Sequence, residues 1–396
     1  MKIAVLFERL GPYHFARLKA ANELCQLHAI EFFSVDDTYA WDVVSEKAGF
    51  SRTTLFTDSG VEKKSTFKIL EALKNAFAFI EPEVVAIPGW SGRPAFSALA
   101  LCRKMRIPAI AMSASTEQDQ VRHWWKELIK KRVTGSFSAA LVGGRPQADY
   151  MYKLGMPSGR IFHGYDVVDN DYFSKGALRA RENSALLRGR YNLPENYFLG
   201  SHRFIDKKNI DRLIRAYAGY RAHAGSGAWK LVLLGDGELR LRIEGLIAKL
   251  GIDEDVILPG FKQYADLPVY YGLAKAYVQA STTEQWGLVV NEAMASGLPV
   301  LVSSRCGCAT DLVREGLNGF TFNPYEVNQI TGRLIKISSS DVDLTAMGRA
   351  SRDIISEWTP ETFAENLILA AKAALSAPQK RFALSDKFIL QALGHR

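Results

Sequence analysis

Residues Ser281-Thr282-Thr283-Glu284-Gln285-Trp286-Gly287-Leu288-Val289-Val290-Asn291-Glu292-Ala293-Met294-Ala295-Ser296-Gly297-Leu298-Pro299 follow a short apolar strand (276–280) and pass through a polar loop into an apolar helix. Gly297 then stops the helix, and Pro299 opens the next strand. A strand, a loop and a helix N-terminus in this order present free backbone amides and the positive end of a helix dipole, which together favour an anion such as phosphate. Glu284 lies in the loop and Glu292 in the helix, eight positions on. That spacing is about 12 Å along a helix. Each carboxylate can accept hydrogen bonds at both oxygens and so grip a vicinal diol. One acid suits a sugar and the other a ribose at the far end of an extended ligand. Isolated glutamates are more often solvated surface acids, so the reading needs a second element.

That element lies upstream. Tyr197-Phe198-Leu199-Gly200-Ser201 reads as a strand, His202-Arg203-Phe204-Ile205-Asp206-Lys207-Lys208-Asn209 as a loop, and Ile210 to Tyr217 has helical periodicity. Arg203 and Lys208 therefore stand at a strand end, on the side expected to carry the 284–292 helix. Arginine offers a planar fork to a diphosphate and lysine a compact point charge.

Outward from these segments, short apolar strands alternate with helix-length stretches, the rhythm of an α/β chain with parallel sheets. Strands are expected at 2–7, 29–34, 84–88, 108–112 and 138–142, then again at 197–200, 231–234, 255–258, 276–280 and 299–303. The two series predict two Rossmann-like domains, one over 1–168 and one over 193–372, with the polar stretch 169–192 as linker and 373–396 as a basic tail. In such sheets ligands sit at the carboxyl ends of the strands. The length of 396 residues agrees with two domains.

Composition narrows the class. A hydrophobic share of 47% and a charged share of 23% are those of a globular protein, and no run of eighteen apolar residues suggests a spanning helix. Met1 to Phe7 is too short and too soon charged for a signal peptide, which predicts a cytoplasmic protein. The four cysteines give neither a disulfide framework nor a zinc spacing. A net charge of +8 calls for an anionic partner, but no nucleic-acid-binding module is recognisable. The acid pairs Asp169-Asn170-Asp171 and Asp341-Val342-Asp343 lie outside the donor loops, so no metal site is expected. The lone Leu234-Gly235-Asp236-Gly237 lacks the third glycine and later acid of a dinucleotide fingerprint.

The second half resembles the family-4 retaining glycosyltransferases of the GT-B fold. The resemblance rests on Glu284 and Glu292 with seven residues between them around Trp286-Gly287-Leu288, and on Arg203 and Lys208. Gly235-Asp236-Gly237-Glu238, Leu258-Pro259-Gly260-Phe261 and Gly316-Leu317-Asn318-Gly319-Phe320 add to it. It covers roughly 195–370 strongly and the first half more loosely. It implies two domains facing across a cleft, with a final helix after Trp358 leaning back on the first. It also implies a hexosyltransferase that moves a sugar from a UDP- or GDP-sugar with retention, without metal or cofactor, in polysaccharide or glycolipid synthesis. Arg203, Lys208 and Glu284 would act in catalysis, Glu292 on the ribose, and Gln285, Trp286, Gly287, Leu288 and Val289 on sugar and phosphate. A sugar-nucleotide-binding homologue without activity and an epimerase on the same fold are the alternatives.

In the first half, Gly11-Pro12 stands where relatives carry a glycine pair, and His14 is either a substrate contact or a structural histidine. Trp90, in Gly89-Trp90-Ser91-Gly92-Arg93, either lines the acceptor side or anchors its loop. After strand 108–112 many relatives place a histidine. This chain has Ser113 to Asp119 instead, with Glu117 and Asp119 as candidate substrate contacts. Val121, Trp124, Trp125, Leu128, Ile129 and Val133 recur at helical spacing among Arg122, Lys126, Lys130, Lys131 and Arg132. Such a stripe fits either the inner face of an anionic membrane, beside a carbohydrate or lipid-linked acceptor, or packing against the first sheet.

Overall fold

The computed structural model describes residues 1–34, 49–57, 64–90 and 92–378. Ser91 and the tail beyond 378 lie outside them. The chain divides into two compact units, one formed by Met1–Val168 with the segment from Trp358, the other by Asp169–Glu357.

Within 1–168 the order is β1 (Lys2–Phe7), α1 (Pro12–Asn22), β2 (Gln26–Phe33), β3 (Ser51–Phe56), α2 (Thr66–Ile80), β4 (Val84–Pro88) and α3 (Arg93–Met105). It continues through β5 (Ala109–Ser113), α4 (Trp124–Thr134), β6 (Ala139–Val142), α5 (Arg145–Lys153) and β7 (Ile161–Phe162). The strands form one parallel sheet in the order β3-β2-β1-β4-β5-β6-β7. Its central strands are apolar on both faces because both faces are covered. Ile69, Leu73 and Phe77 of α2 join Phe96 and Leu99 of α3 in one core layer. Phe15 and Leu18 of α1 lie in the other, with Phe363, Leu367 and Ala371 from the end of the chain.

The second unit begins with α6 (Asn170–Glu182) and α7 (Ser184–Tyr191). It continues with β8 (Tyr197–Ser201), α8 (Ile210–Ala224), β9 (Lys230–Leu234), α9 (Arg240–Leu250), β10 (Val256–Gly260), α10 (Leu267–Leu273), β11 (Ala276–Gln279) and α11 (Leu288–Ala295). Then follow β12 (Val300–Ser303), α12 (Ala309–Leu312), β13 (Gly319–Phe322), α13 (Val327–Ile337) and α14 (Leu344–Ile355). The sheet order is β10-β9-β8-β11-β12-β13, all parallel. α15 (Pro360–Ser376) opens with Thr359 as N-cap and Pro360 at its first position, and it returns the chain to the first unit.

Two expectations change. The stretch 169–192 is helical rather than a bare linker, and the second unit ends at Glu357 instead of 372, because the helix expected after Trp358 belongs to the first unit. Small residues explain the docking of α6. A Cβ on Gly176 would stand 2.5 Å from Pro268, and one on Gly272 would stand 2.8 Å from Ala177, so α6 and α10 touch closely. The acid pairs also find a local use. Asp169 caps α6 by accepting from the Tyr172 amide at 2.8 Å, and Asp343 caps α14 through the Ala346 amide at 2.9 Å.

Candidate functional site

In the second sheet β8 and β11 are neighbours whose connections leave in opposite directions, one toward β9 and the other toward β12. The loops leaving such a switch point splay apart and leave room for a ligand at the strand ends. These are the loops carrying Arg203 and Lys208 on one side and Glu284 on the other. Main-chain bonds hold them in register. The Thr282 amide donates to the Lys207 carbonyl at 2.9 Å. Asn209 takes a left-handed conformation (φ 59°), which asparagine tolerates. Its side-chain amide donates to the carbonyls of Ala280 (3.0 Å) and Pro324 (2.8 Å). Lys208 Nζ then donates to Glu284 Oε2 in an ion pair whose side chains are only 13% and 14% exposed. Lys207 Nζ stands 3.9 Å from Glu284 Oε1.

The loop after β9 supports the first of these segments. The His202 amide donates to the Leu234 carbonyl (2.9 Å) and the Phe204 amide to that of Asp236 (2.8 Å). With His202 and Phe204 buried by these bonds, the intervening Arg203 points to the exposed side. The approach is so close that a Cβ on Gly235 would lie 1.7 Å from the His202 carbonyl oxygen. Burial, reinforced by the Lys208 charge, lowers the His202 pKa to about 3, so the ring is neutral at pH 7.

Gly287 (φ 111°) turns the other loop into α11, where no side chain caps the helix. Leu288 and Val289 are half-buried and Gln285 is exposed. Trp286 is buried and donates from Nε1 to Asn291 Oδ1 at 2.9 Å, so its ring anchors the turn and leaves main chain for a ligand. The loop after β12 braces this segment from beneath. The Gly307 amide donates to the Glu284 carbonyl (2.9 Å), and the Glu284 amide to that of Arg305 (3.4 Å). Burial, and then the Glu284 charge, pushes the Cys306 thiol up. Burial, Cys306 and Glu284 do the same for Cys308, so both are neutral packing groups.

Glu292 departs from the expected geometry. Its side chain is fully buried, at 0% exposure, and its charge helps to raise the pKa values of Tyr172, Tyr264 and Tyr277 after their own burial. The two acids therefore occupy different settings, one at a solvent-reachable ion pair and one inside a tyrosine-rich interior.

The candidates of the first unit are drawn into its own packing. His14 accepts from the Gly11 amide at Nδ1 (3.0 Å) and packs 4.2 Å from the Phe7 ring, completing the first turn of α1. The residue is half-buried. Burial and the Arg17 charge lower its pKa to about 3. Trp90 is buried in the core with its ring 6.3 Å from Tyr150, the arrangement of a loop anchor. Glu117 pairs with Lys153, and Asp119 pairs with Arg122 while accepting from the Thr116 amide at 3.2 Å.

Sequence reasoning gave no role to Asn209 or Thr282, which join the two loops. Lys-Asn ahead of a helix was the available signal.

Residues 188–354 match the model of glycosyl transferases group 1. HepE of Anabaena, solved in complex with UDP and glucose, superposes with a TM-score of 0.73 at 18% identity, over 93% of this chain and 98% of that one. The chain has the GT-B glycosyltransferase fold. Its second unit carries the group 1 sequence pattern, and Arg203, Lys208, Glu284 and α11 all fall within it. The alpha-monoglucosyldiacylglycerol synthase of Acholeplasma laidlawii is 24% identical over 288 residues, 68% of this chain and 70% of that protein. An uncharacterized glycosyltransferase of Methanocaldococcus jannaschii is 28% identical over 182 residues, and that match spans 46% of each protein. No helix among the described residues is long and apolar enough to cross a membrane.

Proposed function

We propose that the chain transfers a sugar from a UDP- or GDP-sugar to a carbohydrate or lipid-linked acceptor, with retention at the anomeric carbon and without a bound metal. The observation that carries this reading is the ion pair of Lys208 with Glu284 at the switch point, ahead of the uncapped start of α11. A diphosphate arriving at Lys208, Arg203 and the α11 amides competes with Glu284 for the ammonium group. Glu284 is then released to accept hydrogen bonds from the sugar hydroxyls. When the sugar–phosphate bond breaks, negative charge develops on the leaving diphosphate, and fixed cations and amides aimed there lower the barrier most. In a same-face transfer the leaving phosphate oxygen accepts the proton of the acceptor hydroxyl as the new glycosidic bond forms.

Glu292 keeps its assignment to the ribose, although with its side chain fully buried such a contact requires the packing around it to open. Comparing a donor with its 2′-deoxyribose analogue, in the native protein and in Glu292→Gln, tests that contact. A cytoplasmic site at the inner face of a membrane agrees with the glycolipid-forming name of the Acholeplasma relative. A panel of nucleotide sugars, scored for thermal stabilisation and slow donor hydrolysis, tests the whole reading. Stabilisation by one donor with turnover supports it. Stabilisation without turnover under any acceptor marks a binding protein instead.

A further inference from the structure

The stripe at 121–133 divides between two faces in the structure. On α4, Val133 and Thr134 are buried, Ile129 packs against the core, and Thr134 Oγ1 donates to the Leu154 carbonyl at 3.1 Å. At 100° per residue the opposite arc runs through Lys131, Trp124, Leu128, Arg132 and Trp125. Val121, Trp124, Trp125 and Leu128 are 83%, 76%, 46% and 54% exposed, and exposed Lys131 and Arg132 share the arc of the helical three. The Lys126 ammonium lies 5.3 Å from the centroid of the Trp125 ring.

The acids next to that arc are engaged by groups of the same unit. Glu127 accepts from Lys130 Nζ (3.0 Å) and from the Tyr150 hydroxyl (2.9 Å), and Lys130 also reaches Tyr150 at 3.1 Å. Arg122 stacks 4.5 Å over the Tyr150 ring and bonds Asp119 and the Thr116 carbonyl. These bonds tie the 116–122 loop and α4 to α5, so the exposed face is presented as one fixed piece.

We infer that this face docks on an anionic lipid bilayer. Trp124, Trp125 and Leu128 enter the headgroup layer while Lys131 and Arg132, on the same arc, meet the lipid phosphates. Tryptophan suits this boundary because its ring is apolar and its N–H polar. A second copy of the chain is the poorer occupant, since self-association would set these two cations against like charges. The inference deepens the proposed reading by naming the surface that brings the protein to a lipid-linked acceptor, and to that extent rests on it. Binding to lipid, however, needs no donor chemistry and is measured separately.

The test is co-sedimentation of the full chain with phosphatidylcholine vesicles, with and without phosphatidylglycerol. Binding is expected with the anionic lipid and is expected to weaken as salt is raised. Trp124→Ser and Leu128→Ser should each lower partitioning about tenfold, and Lys131→Ala and Arg132→Ala about fivefold each. Phe79→Ser, at an 81% exposed apolar position on α2, should change nothing. Donor hydrolysis in vesicle-free solution should be unaltered in all five variants, which separates a failure of docking from a failure of the transferase reading. Three results overturn the inference: no binding of the native chain to anionic vesicles, equal binding to pure phosphatidylcholine, or α4 variants that bind as the native chain does. Variants that break up an oligomer while leaving vesicle binding unchanged point to a second copy and also overturn it.

Discussion

Lys208→Ala removes the cation from a pair whose side chains are 13% and 14% exposed, and leaves the Glu284 carboxylate in the same partly dehydrated place. Stranding one partner of a buried pair destabilises by 3–5 kcal/mol as a rule. Lys207, 3.9 Å from Glu284 Oε1, supplies part of the missing charge. The low end, about 3 kcal/mol, is therefore expected. For a unit of this size that corresponds to a fall in Tm of roughly 6–12 °C. Glu284→Ala strands the ammonium instead and should act in the same direction. The double variant strands neither and should return to within about 1 kcal/mol of the native protein. Activity should not return with it: turnover is expected to drop by about two to three orders of magnitude in all three variants, because each loses a charge aimed at the reacting groups. Differential scanning calorimetry, which can resolve the transition of the second unit, measures the stabilities, and donor hydrolysis measures turnover. Additive losses in the double variant, or a Lys208→Ala protein that melts like the native one, would show that the pair is not formed in solution and would remove the basis of the donor-site reading.

Arg203→Ala should lower turnover by about two to three orders of magnitude, with partial recovery in Arg203→Lys, which restores charge but not the fork; unchanged turnover in the alanine variant refutes the clamp. Gly235→Ala places a methyl group 1.7 Å from the His202 carbonyl oxygen at a φ of +116°, so thermal melts should show a loss of at least about 2 kcal/mol, and donor-induced stabilisation should disappear with the displaced loop. His14 and His202, one in each unit, both have folded pKa values of about 3 against a reference of 6.5. The unfolded chain takes up these protons first, so their stabilising effect is complete above pH 6.5 and is lost as pH falls from there toward 3. Between pH 6.5 and 5 each should account for about 2 kcal/mol. His14→Gln, which keeps an acceptor at the third helical position, should flatten the acid limb of the first unit alone, and His202→Asn that of the second; an unchanged slope in either variant refutes the assignment for that residue.

The fold was legible because buried parallel strands are nearly continuous apolar runs. Each of the ten strands expected from sequence corresponds to a strand here, with boundaries shifted by a few residues. Three strands escaped notice for local reasons. β3 is a polar edge strand, Ser-Arg-Thr-Thr-Leu-Phe, with its first residues exposed. β7 has two residues, and β13, Gly-Phe-Thr-Phe, opens on glycine and is interrupted by a threonine, so it is no continuous apolar run. α6 was hidden by composition: apart from Phe173 it docks through Gly176, Ala177 and Ala180, and a helix that buries mostly small residues shows a thin apolar stripe among its charges.

The candidate site was legible in part, and the two glutamates show where the limit falls. The eight-residue spacing was converted to a helical distance, but Glu284 precedes the left-handed turn at Gly287 and only Glu292 is on α11. Sequence spacing names the elements that carry a side chain. It does not give the direction of a residue ahead of a turn, nor the residues from distant segments that close over it. Glu292 has charge coupling to Tyr172, Tyr264 and Tyr277, which come from three separate stretches of the chain. The pairing of Lys208 with Glu284 likewise depends on Asn209 and Thr282 bonding the two loops, and on β8 lying beside β11. The same limit explains the first unit. His14, Trp90 and Asp119 have the chemistry of ligand contacts, yet each satisfies its polar atoms or its ring within a few residues or against a neighbouring helix. Motif chemistry identified which residues deserved inspection in both units. Sheet order decided that Lys208 and Glu284 meet.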